Sequence, residues 1–210
     1  MFTGIVQMTS RVATVRTAKR IQSTRIEKPR SWRLSPGESV NVNGVCSTVI
    51  ASDSDHFTVE YILETLKKTN LAQLESGKIV NLERSMRLRD LVGGQLIQGH
   101  VDATARLDSM RGQGRSRLLV FRLPTSIRRF VATHGSIAVN GVSLTVARLV
   151  RGTCTVALIP HTLRTTNLGV LKRGDTINIE VDLLARYAVA GKRTSVTVGR
   201  NAKRRGWKKG

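Results

Sequence analysis

The stretches SVNVNGVCSTV (39–49) and SIAVNGVSLTV (136–146) repeat one pattern at a distance of 97 residues. The same shift places residues 57–85 on residues 154–182 without a gap. About 19 of the 45 positions from 39 to 83 are identical to their counterparts in the second copy. Self-similarity on this scale indicates two copies of one domain in tandem.

Each copy consists mainly of segments that are typical of β-strands. Apolar residues alternate around an Asn-Gly pair in residues 39–45 and 136–142, which is the signature of a tight β-hairpin. ETLKKTNL (64–71) and HTLRTTNL (161–168) predict one short helix or turn in each copy. Short strands at regular spacing in a unit of roughly 90 residues favour a small closed barrel. The predicted fold class is therefore mainly all-β.

The domain boundaries follow from the repeat. FTGIV (2–6) resembles IQGHV (97–101), so both copies begin in the same way. We predict an N-terminal barrel at residues 1–88, a C-terminal barrel at residues 89–184, and a short helix with a basic tail at residues 185–210.

The C-terminal segment differs from the repeat. VDLLARYAVAG (181–191) begins an amphipathic helix, which Gly191 and the β-branched TSVTVG (194–199) are expected to cut short. Residues 192–210 contain eight basic residues and no acidic one, and we predict a disordered arm beyond the helix.

The net charge of +21 comes from 35 Lys and Arg residues against 14 Asp and Glu residues. Such a balance is typical of proteins that meet nucleic acid or an anionic surface. Aromatic residues make up only 4% of the chain, which disfavours binding of single strands by base stacking. We interpret the charge as a solvated basic surface. A nucleic-acid contact through the basic tail stays open as an alternative.

Several classes of protein are disfavoured by the sequence. Cys46 and Cys154 form neither a disulfide framework nor a metal-ligand spacing. There is no signal peptide or membrane-spanning run, so we expect a soluble, cytoplasmic protein. The usual phosphate loop, dinucleotide fingerprint and nucleophile elbow are missing as well. We predict no cofactor and no metal site.

The candidate chemistry lies in short polar side chains beside the repeated glycines. The hydroxyl groups of Thr48, Thr65, Thr145 and Thr162 at strand ends suit a polar heterocycle. His100 is a candidate for proton transfer, with a hydrogen-bonded turn histidine as the alternative.

The two cysteines and two further histidines have plainer interpretations. Cys46 is either a reactive thiol or a small buried hydrophobic residue. Cys154 aligns with Phe57 and is expected to serve packing alone. His56 and His134 lie in predicted loops and are expected to be surface residues.

Seven motifs resemble the riboflavin synthase alpha-chain family over residues 1–187. They are MFTGIV (1–6), NGVCSTV (43–49), ETLKKTNL (64–71), VNLERS (80–85), GGQLIQGHVD (93–102), VNGVSLTV (139–146) and IPHTLRTTNLG (159–169). The resemblance implies two six-stranded antiparallel Greek-key barrels and a C-terminal helix. It also implies a homotrimer in which the N-terminal barrel of one subunit faces the C-terminal barrel of its neighbour.

The reaction that the resemblance implies uses two identical molecules. Each barrel would hold one 6,7-dimethyl-8-ribityllumazine, and a four-carbon unit would pass from one to the other. The products would be riboflavin and 5-amino-6-ribitylamino-uracil, without a cofactor. Two alternatives remain: a non-catalytic lumazine- or flavin-binding homologue, and a scaffold whose basic tail binds nucleic acid.

The resemblance also implies a set of substrate-binding residues. The N-terminal contact comprises Phe2, Gly4, Ile5 and Val6. The pocket of the N-terminal barrel comprises Cys46, Ser47, Thr48, Glu60, Tyr61, Ile62, Leu63, Glu64 and Thr65. The pocket of the C-terminal barrel comprises Gly99, His100, Val101, Ser143, Leu144, Thr145, Ala157, Leu158, Ile159, Pro160, His161 and Thr162. His134 and Asp182 complete the set.

Catalytic roles fall on three of these residues. His100 is expected to handle the proton together with Ser143, and Cys46 to add to or polarise the other lumazine. The sequence departs from the family pattern at Gln95, where a histidine is usual, and at His134, where a lysine is usual. It also departs at Ser47, where a leucine is usual.

Overall fold

The computed structural model describes residues 1–198, with side chains up to Gly191. The C-terminal part of the predicted basic arm, from residue 199 onward, lies outside the described residues. In the described part, two closed antiparallel barrels of six strands follow one another along the chain. None of the described helices is both long and apolar enough to cross a membrane.

The strands of the first barrel run in the order β1-β2-β5-β4-β3-β6 around its circumference. They are β1 (Met8–Ala18), β2 (Ile21–Glu27), β3 (Ser39–Val42), β4 (Val45–Ser52), β5 (His56–Ile62) and β6 (Ile79–Arg84). Because β2 pairs with β5 and the chain returns through β3 to β6, the connection is a Greek key.

The second barrel has the same order, β7-β8-β11-β10-β9-β12. Its strands are β7 (Ala103–Gln113), β8 (Ser116–Arg122), β9 (Ser136–Val139), β10 (Val142–Val150), β11 (Thr153–Leu158) and β12 (Thr176–Val181). The predicted pair of six-stranded antiparallel barrels is thereby confirmed.

Three α-helices and three 3₁₀ turns accompany the strands in the described residues. The α-helices are α1 (Leu63–Lys68), α2 (Pro160–Thr165) and α3 (Leu183–Val198), and 3₁₀ turns span Asn70–Gln73, Arg128–Phe130 and Asn167–Val170. The first two α-helices and the 3₁₀ turns that follow them confirm the prediction of one short helix or turn in each copy.

The Asn-Gly pairs form the predicted hairpin turns. Asn43 (φ 50°) and Gly44 (φ 85°) join β3 to β4, and Asn140 (φ 46°) and Gly141 (φ 77°) join β9 to β10. Both central residues of such a turn need a positive φ, which Asn and Gly adopt at little cost.

Each barrel has its own apolar core because alternate strand residues point inward. Phe57 and Val59 lie fully buried in the first core, and Phe121 and Val156 in the second. Cys154 belongs to the second core, as predicted, and burial raises the pKa of its thiol to about 12. Neither cysteine of the chain forms a disulfide.

The last helix is longer than predicted. α3 continues past Gly191 to Val198, whereas the sequence analysis ended it at the glycine. Its first turn is fixed by two contacts of aspartates: the Asp182 carboxylate accepts a hydrogen bond from the Leu184 N–H at 2.7 Å, and Asp102 pairs with Arg186 at 2.9 Å. One glycine costs about 1 kcal/mol in a helix and a β-branched residue a few tenths, so these residues do not stop an anchored helix.

The two barrels are docked through buried asparagines. The Asn70 N–H donates to the Asn178 side chain at 2.7 Å, and the Asn167 N–H donates to the Asn81 side chain at 2.6 Å. The 3₁₀ turns Asn70–Gln73 and Asn167–Val170 thus each insert their first residue into the other barrel, with a pseudo-twofold relation between the two contacts. Buried amides that satisfy one another in this way fix a unique arrangement of the barrels.

The hairpin turns meet at the same interface. A Cβ at Gly44 would lie 2.8 Å from the Gly141 nitrogen, and a Cβ at Gly141 would lie 2.8 Å from the Gly44 nitrogen. The backbones therefore approach so closely that only glycine fits on either side.

Candidate functional site

Two short segments cross between the barrels, and we call residues 3–6 the first crossing segment and residues 98–101 the second. The Glu83 carboxylate holds the first by accepting hydrogen bonds from the Thr3 N–H, the Thr3 hydroxyl and the Gly4 N–H at 2.6, 2.7 and 3.1 Å. Burial raises the pKa of Glu83, and the donated hydrogen bonds oppose this effect.

The second crossing segment is held in the same way. The Glu180 carboxylate accepts hydrogen bonds from the Gln98 and Gly99 N–H groups at 2.8 and 3.0 Å, and burial raises the pKa of this carboxyl as well. The segments are also joined just before they diverge, because Phe2 and Ile97 exchange two backbone hydrogen bonds of 2.8 and 3.0 Å.

Beyond these anchors, each segment lies on the barrel of the other copy. The Gly4 carbonyl accepts a hydrogen bond from the Ser143 N–H at 2.9 Å, and the Gly99 carbonyl accepts one from the Cys46 N–H at 2.9 Å. Val6 then packs against the second core and Val101 against the first. The copies have therefore exchanged their leading segments.

Both contacts require glycine. Gly4 (φ 77°) and Gly99 (φ 79°) adopt left-handed backbone conformations, and a Cβ on either would lie 2.6 Å from the facing strand. The repeated glycine in FTG and IQG is therefore explained by this close approach.

The exchange corrects the predicted grouping of the site. The assignment of Gly99, His100 and Val101 to the pocket of the C-terminal barrel is wrong, because these residues lie on the first barrel beside Cys46. Within the single chain, His100 and Ser143 therefore lie on different barrels, and their joint role in proton transfer stays a prediction. Repeat alignment shows which residues correspond, but it does not reveal on which barrel a crossing segment lies.

The first site lies on the outer side of the N-terminal barrel. Cys46 is half-buried and Thr48 exposed on β4, while Glu60 and Ile62 are exposed at the end of β5. His100 is exposed on the crossing segment. Leu63 and Glu64 are exposed at the start of α1, and Thr65 is half-buried. The structure thus brings most of the predicted N-terminal pocket together with His100.

The second site is its counterpart on the C-terminal barrel. Ile5 is exposed on the crossing segment that covers it, and Ser143 and Thr145 lie on β10. The remaining predicted members that are exposed or half-buried are Ala157, Ile159, Pro160, His161 and Thr162.

Some predicted residues face the barrel interior instead. Ser47 and Tyr61 are buried, and their hydroxyl groups share a hydrogen bond of 3.0 Å. Burial raises the pKa of the Tyr61 hydroxyl. Leu158 is fully buried, and Leu144 packs against the second core. Phe2 is buried with Ile97 between the barrels. These side chains support the walls of the two sites.

The remaining predicted members lie at the edges. His134 has a left-handed backbone (φ 68°), and its N–H donates to the Val146 carbonyl at 2.8 Å, next to Thr145. Asp182 caps α3, as described above. Gln95 is 93% buried beside the first crossing segment, where its own N–H donates to the Thr3 carbonyl at 3.0 Å.

Sequence reasoning missed the residues that build both sites without lining them. Glu83 and Glu180 anchor the crossing segments, and Asn70 and Asn167 lock the barrels together. The signal was present, because each pair occupies one position of the repeat and is identical in both copies.

The two sites have the same backbone arrangement, but their side chains differ in chemistry. The first offers the Cys46 thiol, the His100 imidazole and the carboxylates of Glu60 and Glu64, of which Glu64 is paired with Lys68 at 2.6 Å. The second offers a hydroxyl, an aliphatic side chain, a methyl group and an imidazole at the same repeat positions (Ser143, Ile5, Ala157 and His161).

Comparison with known proteins agrees with this geometry. The lumazine binding domain family matches twice, at residues 3–85 and 98–182, so each match begins at a crossing segment. A riboflavin synthase of Brucella abortus is 39% identical over 196 residues, covering 90% of this chain and 96% of its own. The chain belongs to the riboflavin synthase family.

Other relatives agree. The riboflavin synthase of Bacillus subtilis is 35% identical over 89% of this chain and 87% of its own, and that of Actinobacillus pleuropneumoniae is 34% identical over the same shares. Crystal structures of LumP complexed with riboflavin and with 6,7-dimethyl-8-(1'-D-ribityl) lumazine superpose with TM-scores of 0.81 and 0.79. They share 24% and 23% identity and cover 86% of this chain and 99% of their own, and they confirm the fold.

Proposed function

We propose that this member of the riboflavin synthase family converts two molecules of 6,7-dimethyl-8-ribityllumazine into riboflavin and 5-amino-6-ribitylamino-uracil. The observation that carries the proposal is the pair of equivalent sites with different side chains. Two identical substrates must take different roles, because one gives up a four-carbon unit and the other receives it. A duplicated barrel supplies two like pockets, and the substitutions between the copies supply the two roles.

The chemistry begins with an acidic C–H bond. Loss of a proton from the C7 methyl group of one lumazine gives a carbanion that delocalises into the ring. His100 is the proposed proton acceptor, since its exposed imidazole can act as a general base. The partner lumazine, held in the facing second site, accepts a nucleophile at its C7. Because Cys46 lies on the same barrel as His100, its thiol is proposed to reach across to that lumazine and to add there or polarise its ring. Ser143 is the corresponding hydroxyl of the second site.

Binding places the two rings within reach. Hydroxyl groups of Thr48, Thr65, Thr145 and Thr162 are proposed to bind the polar edges and ribityl chains of the lumazines, and Ile5, Val6 and Val101 to cover the rings. Face-to-face stacking turns an encounter of two molecules into a local reaction, an effect worth several kcal/mol. The carbon atoms balance without an external oxidant or a cofactor.

We further propose a homotrimer, in which a first site of one subunit faces a second site of its neighbour. The exposed apolar residues Leu184 and Tyr187 on α3 support this proposal, since they are 71% and 65% exposed in the single chain. The two unpaired thiols suit a reducing cytoplasm. The division of the chain at residues 88 and 89 stays a prediction.

The test is a reaction of the purified chain with 6,7-dimethyl-8-ribityllumazine in a metal-free, cofactor-free buffer. Riboflavin and 5-amino-6-ribitylamino-uracil should appear in equal amounts, with two lumazines consumed for each riboflavin. Tight binding of lumazine without any riboflavin would show instead a non-catalytic binding protein. In that case Gln95 and His134, the departures from the family pattern, would be the first positions to restore to histidine and lysine.

A further inference from the structure

A groove of about 690 Å³ lies on the outer face of the C-terminal barrel, away from the residues assigned above except at one end. Its floor is apolar and includes Leu118, Val120 and Val150. Its charged lining consists of arginines from three strands and one turn: Arg111, Arg122, Arg148 and Arg151. We propose that this groove binds the phosphate backbone of duplex nucleic acid.

The positive charge of the groove is not neutralised within the chain. Throughout the part of the chain that the structure describes, none of the four arginines forms an ion pair, and no acidic side chain lines the groove. All four are exposed. They lie on β7, β8, β10 and the turn from β10 to β11, and the strands β7, β8, β11 and β10 that they flank span about 14 Å at the usual strand spacing.

The equivalent face of the N-terminal barrel shows that the fold does not require this charge. Matching strand registers place Glu27 where Arg122 stands, Asp53 where Val150 stands and Glu60 where Ala157 stands. Asp53 also pairs with Arg25 at 2.6 Å. One copy of the domain therefore carries balanced charges on this face, and the other carries four arginines alone.

The proposed reaction does not use the arginines either. Its lumazine substrates carry no phosphate, and the groove meets the second site only at Ala157. An arginine-lined groove with no internal counter-charge fits an external polyanion, and the net charge of +21 would steer such a partner toward the protein.

The chemistry of the lining favours a duplex backbone over unpaired bases. Guanidinium groups bind phosphate oxygens in a bidentate fork. The described lining includes no aromatic ring on which a base could stack, and stacking is what single strands usually require. Binding is therefore expected to be independent of base sequence and steeply dependent on salt.

The test measures binding of the full chain to a short fluorescein-labelled DNA duplex by anisotropy over a range of NaCl concentrations. The groove variant replaces all four arginines (R111Q, R122Q, R148Q and R151N, with asparagine at the last because φ is 49°). The matched control removes the same charge from exposed arginines elsewhere (R16Q, R33Q, R87Q and R89Q).

The groove variant should bind the duplex at least tenfold more weakly, and the magnitude of its slope of log K against log [NaCl] should fall by about 3.6, at about 0.9 for each of the four lost phosphate contacts. The control should stay within about threefold of the native chain. Both variants should form riboflavin at the native rate, so the result is independent of the proposed reaction.

Three outcomes would overturn the proposal. Equal losses in both variants would show attraction by net charge alone. Native binding by the groove variant would place the contact elsewhere. A changed molecular mass of the groove variant in light scattering would assign the groove to contacts between copies of this chain.

Discussion

The N-terminal and C-terminal barrels share their buried polar residues at the interface, and they differ at several positions of the two sites. Asn70 corresponds to Asn167, and both make matching contacts across the interface. Glu83 corresponds to Glu180, and each holds the crossing segment of its own copy. At the sites, by contrast, Cys46 corresponds to Ser143. The comparison separates the residues that fix the arrangement of the barrels from the residues that we propose act on a substrate.

The crossing segments connect these two sets. Because each segment is anchored by its own copy and covers the other, neither site is complete on a single barrel. His100 reaches the first site only through the exchange, while Ile5 takes the same place in the second. The two sites therefore carry different side chains, although the contacts that position them are alike in both copies.

The largest loss of stability is expected when a side chain is placed between the two hairpin turns. Gly44→Ala places a Cβ 2.8 Å from the Gly141 nitrogen at a φ of 85°, so the barrels must move apart. We expect a loss of about 3 kcal/mol or more in the free energy of unfolding, measured by urea denaturation. Gly77→Ala is the matched control, since its φ of 87° is the same but nothing lies within 4 Å. Equal losses in both variants would refute the close approach.

A smaller loss of stability is expected from replacing one of the asparagines that join the two barrels. The Asn70 side chain bonds to the Asn140 side chain, the Thr176 carbonyl and the Asn178 side chain at 3.1, 3.1 and 2.9 Å. Asn70→Ala leaves these buried groups unsatisfied and should cost about 2 kcal/mol in urea denaturation. Asn167→Ala should cost a similar amount, because the Asn167 amide donates to the Asn43 side chain and the Ile79 carbonyl at 3.0 and 3.3 Å, at the positions equivalent to Asn140 and Thr176. A loss confined to one of the two variants would break the pseudo-twofold relation.

The smallest stability effect is expected at the anchor of the first crossing segment, and it depends on pH. Glu83→Gln turns an acceptor of three hydrogen bonds into a group with one acceptor atom, at a cost of about 1 kcal/mol at neutral pH. Because the folded pKa of Glu83 is raised, the folded state binds the proton more tightly than the unfolded state. The native chain should therefore lose stability as the pH rises from about 4.5 through the folded pKa.

Glu83→Gln lacks this pH-dependent contribution. The difference in the free energy of unfolding between the native chain and Glu83→Gln should therefore narrow as the pH rises over that range. Glu27→Gln is the control, since Glu27 is exposed on β2. Urea denaturation at several pH values measures the difference. A difference that widens with pH would mean that the hydrogen bonds outweigh burial and that the pKa of Glu83 is lowered.

Much of the fold could be predicted because its causes are local or periodic. The Asn-Gly turns follow from backbone conformation, and the cores follow from the alternation of residues such as Phe57 and Val59. The end of α3 could not be predicted, because helix propensity at Gly191 is weak compared with the contacts that fix the first turn.

The role of the predicted site residues stays a prediction, but the structure shows on which barrel each of them lies. Cys46, Ser143 and His100 were named from the motifs, yet His100 was grouped with the wrong barrel. The contact that decides the grouping joins the Gly99 carbonyl to the Cys46 N–H, and it depends on how two finished barrels dock. No local pattern reports such a contact. The identical pairs of asparagine and glutamate were the nearest signal in the sequence.

The central claim is that the two sites play different roles in the reaction. Its most direct test is the steady-state rate of riboflavin formation by His100→Gln, with Ile5→Ala as the variant at the equivalent position. If His100 handles the proton in the first site, His100→Gln should lower kcat about 100-fold while lumazine still binds. Ile5→Ala should change mainly KM, because an aliphatic side chain covers the ring without taking part in proton transfer. A native kcat for His100→Gln, or equal losses of kcat in both variants, would contradict the division of roles between the two barrels.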